Sequence, residues 1–137
     1  MSDAASVSFN FAKLVVGDLD EAAAFYGKVF RLREQARVED AITGRAIREI
    51  MYEPTQAGGA TFVLLAFDDA PRPAAGETII GFTVADLDAV LADLAVAGGA
   101  IIEATRDMPH LGIRVAFAAD PEGHLLEIVQ FLPAAGQ

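Results

Sequence analysis

The chain has 137 residues, a formal charge of -10 and no cysteine, enough for one hydrophobic core and too short for two separate domains. The acidity argues against nucleic acid and anionic membranes, both of which reward Lys/Arg clusters, and the missing thiols remove disulfides and thiolate-held metals. The longest apolar run, Ala60 to Phe67, is too short to cross a bilayer, and the start lacks the basic and apolar segments of a signal peptide, so a cytoplasmic protein with fraying tails at 1–6 and 133–137 is expected.

In chain order, the apolar residues from Phe11 to Val16 read as a strand, and Asp18 followed three positions later by Glu21 reads as the capping box of a helix. Leu19, Ala22, Ala23, Tyr26 and Phe30 then share one helical face, which assigns Tyr26 and Phe30 to the core and leaves Phe25 off the stripe, free for a contact with a second copy. Alternation of period two marks strands near Arg33 to Val38, Ala46 to Tyr52 and Ala60 to Phe67. The charged, proline-containing segment from Asp68 to Glu77 reads as a connector. A second strand opens at Ile79 and a second helix follows Asp86, with Leu87, Val90, Leu91 and Leu94 on one face and Gly98-Gly99 as its stop. Strands near Ala100 to Glu103, Gly112 to Phe117 and His124 to Phe131 close the chain. Between the last two, Asp120-Pro121-Glu122-Gly123 has the chemistry of a tight turn.

The two halves are versions of one another. FAKLVVGDLDEAAAFY from Phe11 and IIGFTVADLDAVLADL from Ile79 align at a shift of 68 residues, which superposes Val16, Asp18, Leu19 and Asp20 on Val84, Asp86, Leu87 and Asp88. Such self-similarity implies the same supersecondary unit twice. Each half, 7–69 and 77–132, is therefore expected to be strand, helix and three strands within a single domain, 7–132.

With LVVGDLDEAAAFYGKVF, GFTVADLDAVLADLAVAGG and especially GIRVAFAADPEGHLLEIVQ, the chain resembles the vicinal oxygen chelate superfamily of glyoxalase I, extradiol dioxygenases, and the fosfomycin- and bleomycin-resistance proteins. The resemblance implies an α+β fold of two β-α-β-β-β modules whose curled mixed sheets form a cup, in a homodimer. In metal-dependent relatives the ligands come from the first and last strands of each module; carried over, those positions are Phe11, Val63, Ile79 and Glu127. Only Glu127 has a lone pair for a cation, and a divalent ion needs about three protein donors. His124 and Glu127, three apart on one strand, point to opposite faces, and His110 in a loop is a single further donor. The expectation is a lost metal site and no cofactor, the alternative being a divalent ion at Glu127.

What remains in the cup follows from alternation. Phe11, Lys13 and Val15 face inward on the first strand, Leu125, Glu127 and Val129 on the last, with Gly81 and Thr83 from the strand at Ile79. Lys13 is expected to meet Glu127. Either Arg48 with Tyr52 or Glu49 with Met51 faces the same space, because a one-residue slip exchanges them, and Arg114 is a similar candidate. Three readings stay open. Glu127 could act as a general base with Lys13 or an arginine stabilising an anionic intermediate. The cup could capture a small organic molecule, a cationic one suiting the acidity, without chemistry, as bleomycin-resistance proteins do. Or the apolar residues at the old ligand positions could be plain core with no pocket. The alternative to all three is a metal-dependent lyase or isomerase of the lactoylglutathione lyase type with a displaced site.

Overall fold

A computed structural model describes residues 7–69, 73–74 and 77–133; the expected tails, Pro133 apart, and part of the connector lie outside the described residues. Among these residues the elements run β1 (Phe11–Val15), α1 (Leu19–Phe30), β2 (Glu34–Ile42), β3 (Arg45–Tyr52), β4 (Thr61–Phe67), β5 (Ile79–Thr83), α2 (Leu87–Val96), β6 (Ala100–Met108), a short 3-10 turn at Pro109–Leu111, β7 (Ile113–Ala119) and β8 (Leu125–Phe131). They build two four-stranded mixed sheets, ordered β1-β4-β3-β2 and β5-β8-β7-β6. In each sheet the first strand lies parallel to the last and the other pairs are antiparallel. The fold is the α+β arrangement of two β-α-β-β-β modules, and the sheets do not close on each other.

Local chemistry explains the elements. Both helices start on an aspartate whose carboxylate accepts an amide three residues on: Asp18 from Glu21 at 2.9 Å and Asp86 from Ala89 at 3.1 Å. The hairpin between β2 and β3 extends beyond the expected strand end because Thr43 (φ 51) and Gly44 (φ 81) form a two-residue turn with both residues left-handed, whose twist matches the strands. After α2, Gly98 adopts φ 98. Gly99 lies so close to Leu94 and the Ala119 carbonyl that a Cβ would meet them at 2.7 and 2.8 Å.

The core lies where the two helices pack on the sheets and on each other. Leu14, Ile50, Tyr52 and Leu64 from the first sheet, Ala116, Ala118, Leu126 and Ile128 from the second, and the apolar faces of both helices form one buried cluster. Phe25 is part of it, 1% exposed, so the expected contact with a second copy is corrected: α1 is gripped from two sides and its buried arc is wider than one stripe. Phe30 of α1 stacks on Phe82 of β5 at 3.8 Å between centroids, and Tyr26 packs between Phe62 and Phe82.

The Asp120–Gly123 turn fastens one module to the other. Asp120 accepts the Tyr26 hydroxyl at 2.8 Å, the Glu122 and His124 amides at 2.9 and 3.0 Å, and lies 3.0 Å from His124 Nδ1. Glu122 accepts the amides of Gly17 and Asp18 at 2.8 to 3.0 Å, just ahead of α1. Both Asp120 and His124 are buried, so the most specific motif of the sequence is a structural clasp.

Candidate functional site

With the helix-side faces consumed by the core, alternation directs the opposite faces outward. On the first sheet that outward face carries Lys13, Val63 and Met51 in one register row and Val15, Leu65 and Glu49 in the next. Ile47, Val63 and Leu65 are nevertheless buried there, so the face is an apolar floor. Glu49 is set into it and Lys13 stands over it, Nζ to Oε1 2.9 Å, with side chains 34% and 11% exposed for Lys13 and Glu49. The Phe11 ring lies 5.6 Å from the same ammonium. On the second sheet, Glu127 sits between the exposed Gly81 and the partly buried Phe117, and its side chain makes no hydrogen bond or ion pair with any described residue. The space beside it is open, since a Cβ on Gly81 would meet only the Glu127 carbonyl at 3.9 Å.

This arrangement revises the expected cup. Lys13 and Glu127 belong to different sheets, and Lys13 pairs with Glu49 of its own module. The register question is answered for Glu49 and Met51. Arg48 faces the helix side, where it pairs with Asp68 at 3.2 Å. Tyr52 is buried in the core, its hydroxyl without a partner among the described residues, and burial pushes its pKa up to about 12. Arg114 shares the helix side with Ala116 and Ala118 and is held by Asp107 at 3.1 Å and Asp88 at 3.5 Å. Phe11 and Ile79 are on the outward faces but 55% and 57% exposed, and Thr83 lies at the open edge of β5. Sequence reasoning left the Lys13–Glu49 pair unread because it depends on the register of β3 against β4, which no local pattern encodes.

A cavity of about 630 Å³ lies elsewhere, between the modules at the end of α1. Phe9, Phe30, Phe62 and Phe82 line it with Arg31, Glu53 and Thr83. This cavity takes in neither Glu127 nor Lys13 and lies apart from the old ligand positions Phe11, Val63 and Ile79.

The donor set does not fit a metal ion. The positions that would supply ligands hold Phe11, Val63, Ile79 and Glu127, and among the described residues no three His, Asp or Glu side chains gather into a group able to hold one. Among those residues no helix is long and apolar enough to cross a membrane.

A sequence model of the glyoxalase/bleomycin resistance protein/dioxygenase superfamily matches residues 8–128. No curated protein matches. Among solved structures, a glyoxalase family protein from Bacillus cereus superposes with a TM-score of 0.79 at 19% identity, over 93% of this chain and 95% of that one. TioX from Micromonospora sp. ML1 gives 0.65 at 27% identity, over 92% and 100%. The trypanothione-dependent glyoxalase I of Leishmania major gives 0.71 at 18% identity, over 90% and 86%.

Proposed function

The chain belongs to the glyoxalase/bleomycin resistance protein/dioxygenase superfamily, and from that membership we infer that it binds a small organic molecule on the outward sheet faces without a catalytic metal. The observation that carries this is a carboxylate set among apolar side chains within each face: Glu49 beneath Lys13 on one, with Asp40 on the neighbouring strand, and on the other Glu127, whose side chain has no partner among the described residues and whose row ends in Glu103. Burying a carboxylate on an apolar surface is unfavourable unless something satisfies it, and a bound molecule with donor groups would satisfy Glu127. Capture and metal-independent acid/base turnover both use this geometry, with Glu127 as anchor in the first and as base in the second.

The outward faces of one chain point away from its own core, so a ligand is enclosed only if a second copy supplies the facing wall. β1 and β5 are edge strands, and Phe11 and Ile79 on them are exposed. An unpaired edge strand carrying a large exposed apolar side chain is open to association with another chain. A homodimer joining the first module of one protomer to the second module of its partner brings Lys13, Glu49 and Glu127 around one space.

A thermal-shift screen of small organic cations and carbonyl compounds tests the reading, with sedimentation velocity and elemental analysis of the same sample. A stabilising compound whose effect disappears in Glu127→Gln supports it. Stoichiometric zinc, nickel, iron or manganese in the purified protein overturns it, as does stabilisation that Glu127→Gln leaves unchanged.

A further inference from the structure

We propose that Lys13 forms a covalent imine with small, uncharged ketones or aldehydes, with Glu49 carrying the protons. The proposal deepens the binding reading above and rests on the outward face of the first module taking a ligand.

A reactive amine must be reachable, must have a base at hand and must stand over a surface that holds the carbonyl compound. Lys13 meets all three conditions. Its side chain is one-third exposed, so a ligand reaches Nζ from solvent. Glu49 Oε1 lies 2.9 Å away and is nearly sealed from water. Val63, Met51 and Leu65 form the floor beside it, and the Phe11 ring gives a side wall. A surface ion pair would contribute little to stability and a buried one no more than an apolar replacement, so stability alone does not explain a carboxylate set into this floor. On the same face stand Asp40, opposite Ile47, and Arg45, opposite Ile42 and paired with Asp69 at 3.1 Å; with Arg45 matched by Asp69, Glu49 and Asp40 outnumber Lys13, which disfavours an anionic substrate.

The chemistry balances without a redox partner. Glu49 takes a proton from the ammonium, Nζ adds to the carbonyl carbon as the C=O π bond breaks, and a second N–H proton passes to the alkoxide oxygen, giving one new C–N bond and a neutral carbinolamine. Glu49 returns that proton to the hydroxyl, the C–O bond breaks, one water leaves, and the nitrogen lone pair completes the iminium.

The sequence supplies an internal control, because its lysines are Lys13 and Lys28. Lys28, on the exposed side of α1, makes no ion pair among the described residues. The full-length protein is incubated with cyclohexanone or benzaldehyde, reduced with cyanoborohydride and mapped by peptide mass. The expected result is reductive alkylation of Lys13 well ahead of Lys28 and the α-amine, lost in Lys13→Arg. Glu49→Gln slows labelling at Lys13 about 100-fold, leaves Lys28 unchanged and alters the pH profile of the Lys13 rate alone. Labelling of Lys13 no faster than Lys28 in the wild type overturns the proposal whether or not any variant folds. Thermal stabilisation by the same compound without reductant separates the two readings. Stabilisation that persists in Lys13→Arg with no Lys13 adduct refutes the imine and leaves binding standing, whereas neither stabilisation nor adduct refutes both for this compound class.

Discussion

The chain holds two tyrosines, both buried, and the same substitution in each should have opposite consequences. Tyr26 donates its hydroxyl to Asp120 at 2.8 Å inside the clasp, and a hydrogen bond to a buried charged group contributes about 1.5–3 kcal/mol. Tyr26→Phe keeps the ring packing against Phe62 and Phe82 and leaves Asp120 its other donors. The expected loss is therefore the bond alone, about 2 kcal/mol out of a total near 5–15 kcal/mol. Tyr52 is buried in the same core, yet its hydroxyl has no partner among the described residues. Tyr52→Phe removes an unpaired polar atom whose burial is itself unfavourable, so the change should be neutral or stabilising by about 1 kcal/mol. Urea denaturation followed by far-ultraviolet circular dichroism measures both. With a slope of about 2 kcal/mol/M, Tyr26→Phe lowers the midpoint by about 1 M and Tyr52→Phe leaves or raises it, the slope staying constant. Equal losses, or a larger loss at Tyr52, would refute the assignment of the clasp.

The same tyrosines predict the alkaline limb of stability. Burial pushes Tyr52 up to about 12, and burial followed by the Asp120 charge pushes Tyr26 higher still, against about 10 in an unfolded chain. Each holds its proton more tightly when folded, so their contribution is complete below about pH 10 and is lost as pH rises through the folded values. Tyrosinate absorbance should stay flat from about pH 10 to 11 in native protein and rise there in denaturant; a native rise near pH 10 would contradict the burial. Two glycines give another pair. Gly99→Ala places a Cβ at 2.7 Å from Leu94 and should cost about 1–3 kcal/mol, whereas Gly27→Ala, in α1 with nothing within 4 Å, should gain about 0.5–1 kcal/mol; calorimetric melting distinguishes them. Glu122→Ala should speed hydrogen exchange at the Gly17 and Asp18 amides it now accepts. Unchanged exchange there would show that the turn does not fasten the modules.

Much of this molecule is determined locally and is readable in the sequence. Asp18 and Asp86 cap helices because an aspartate side chain reaches the amide three residues ahead, and the repeat at 68 residues makes that happen twice. Pattern and turn chemistry likewise set the strands, and the missing donors at Phe11, Val63 and Ile79 are a matter of residue type. Long-range pairing was decided only in three dimensions. Period two says that Arg48 and Glu49 face opposite ways but not which way, and the pairing of Glu49 with Leu65 places it beside Lys13. Asp120-Pro121-Glu122-Gly123 announces a turn, yet its engagement of Tyr26 and Gly17, more than 90 residues away in sequence, follows from the packing of one module on the other. The separation of Lys13 from Glu127 has the same origin. Both helices and the inner faces of both sheets share one core, because that packing removes the most apolar surface from water, and it leaves the two carboxylate-bearing faces pointing outward.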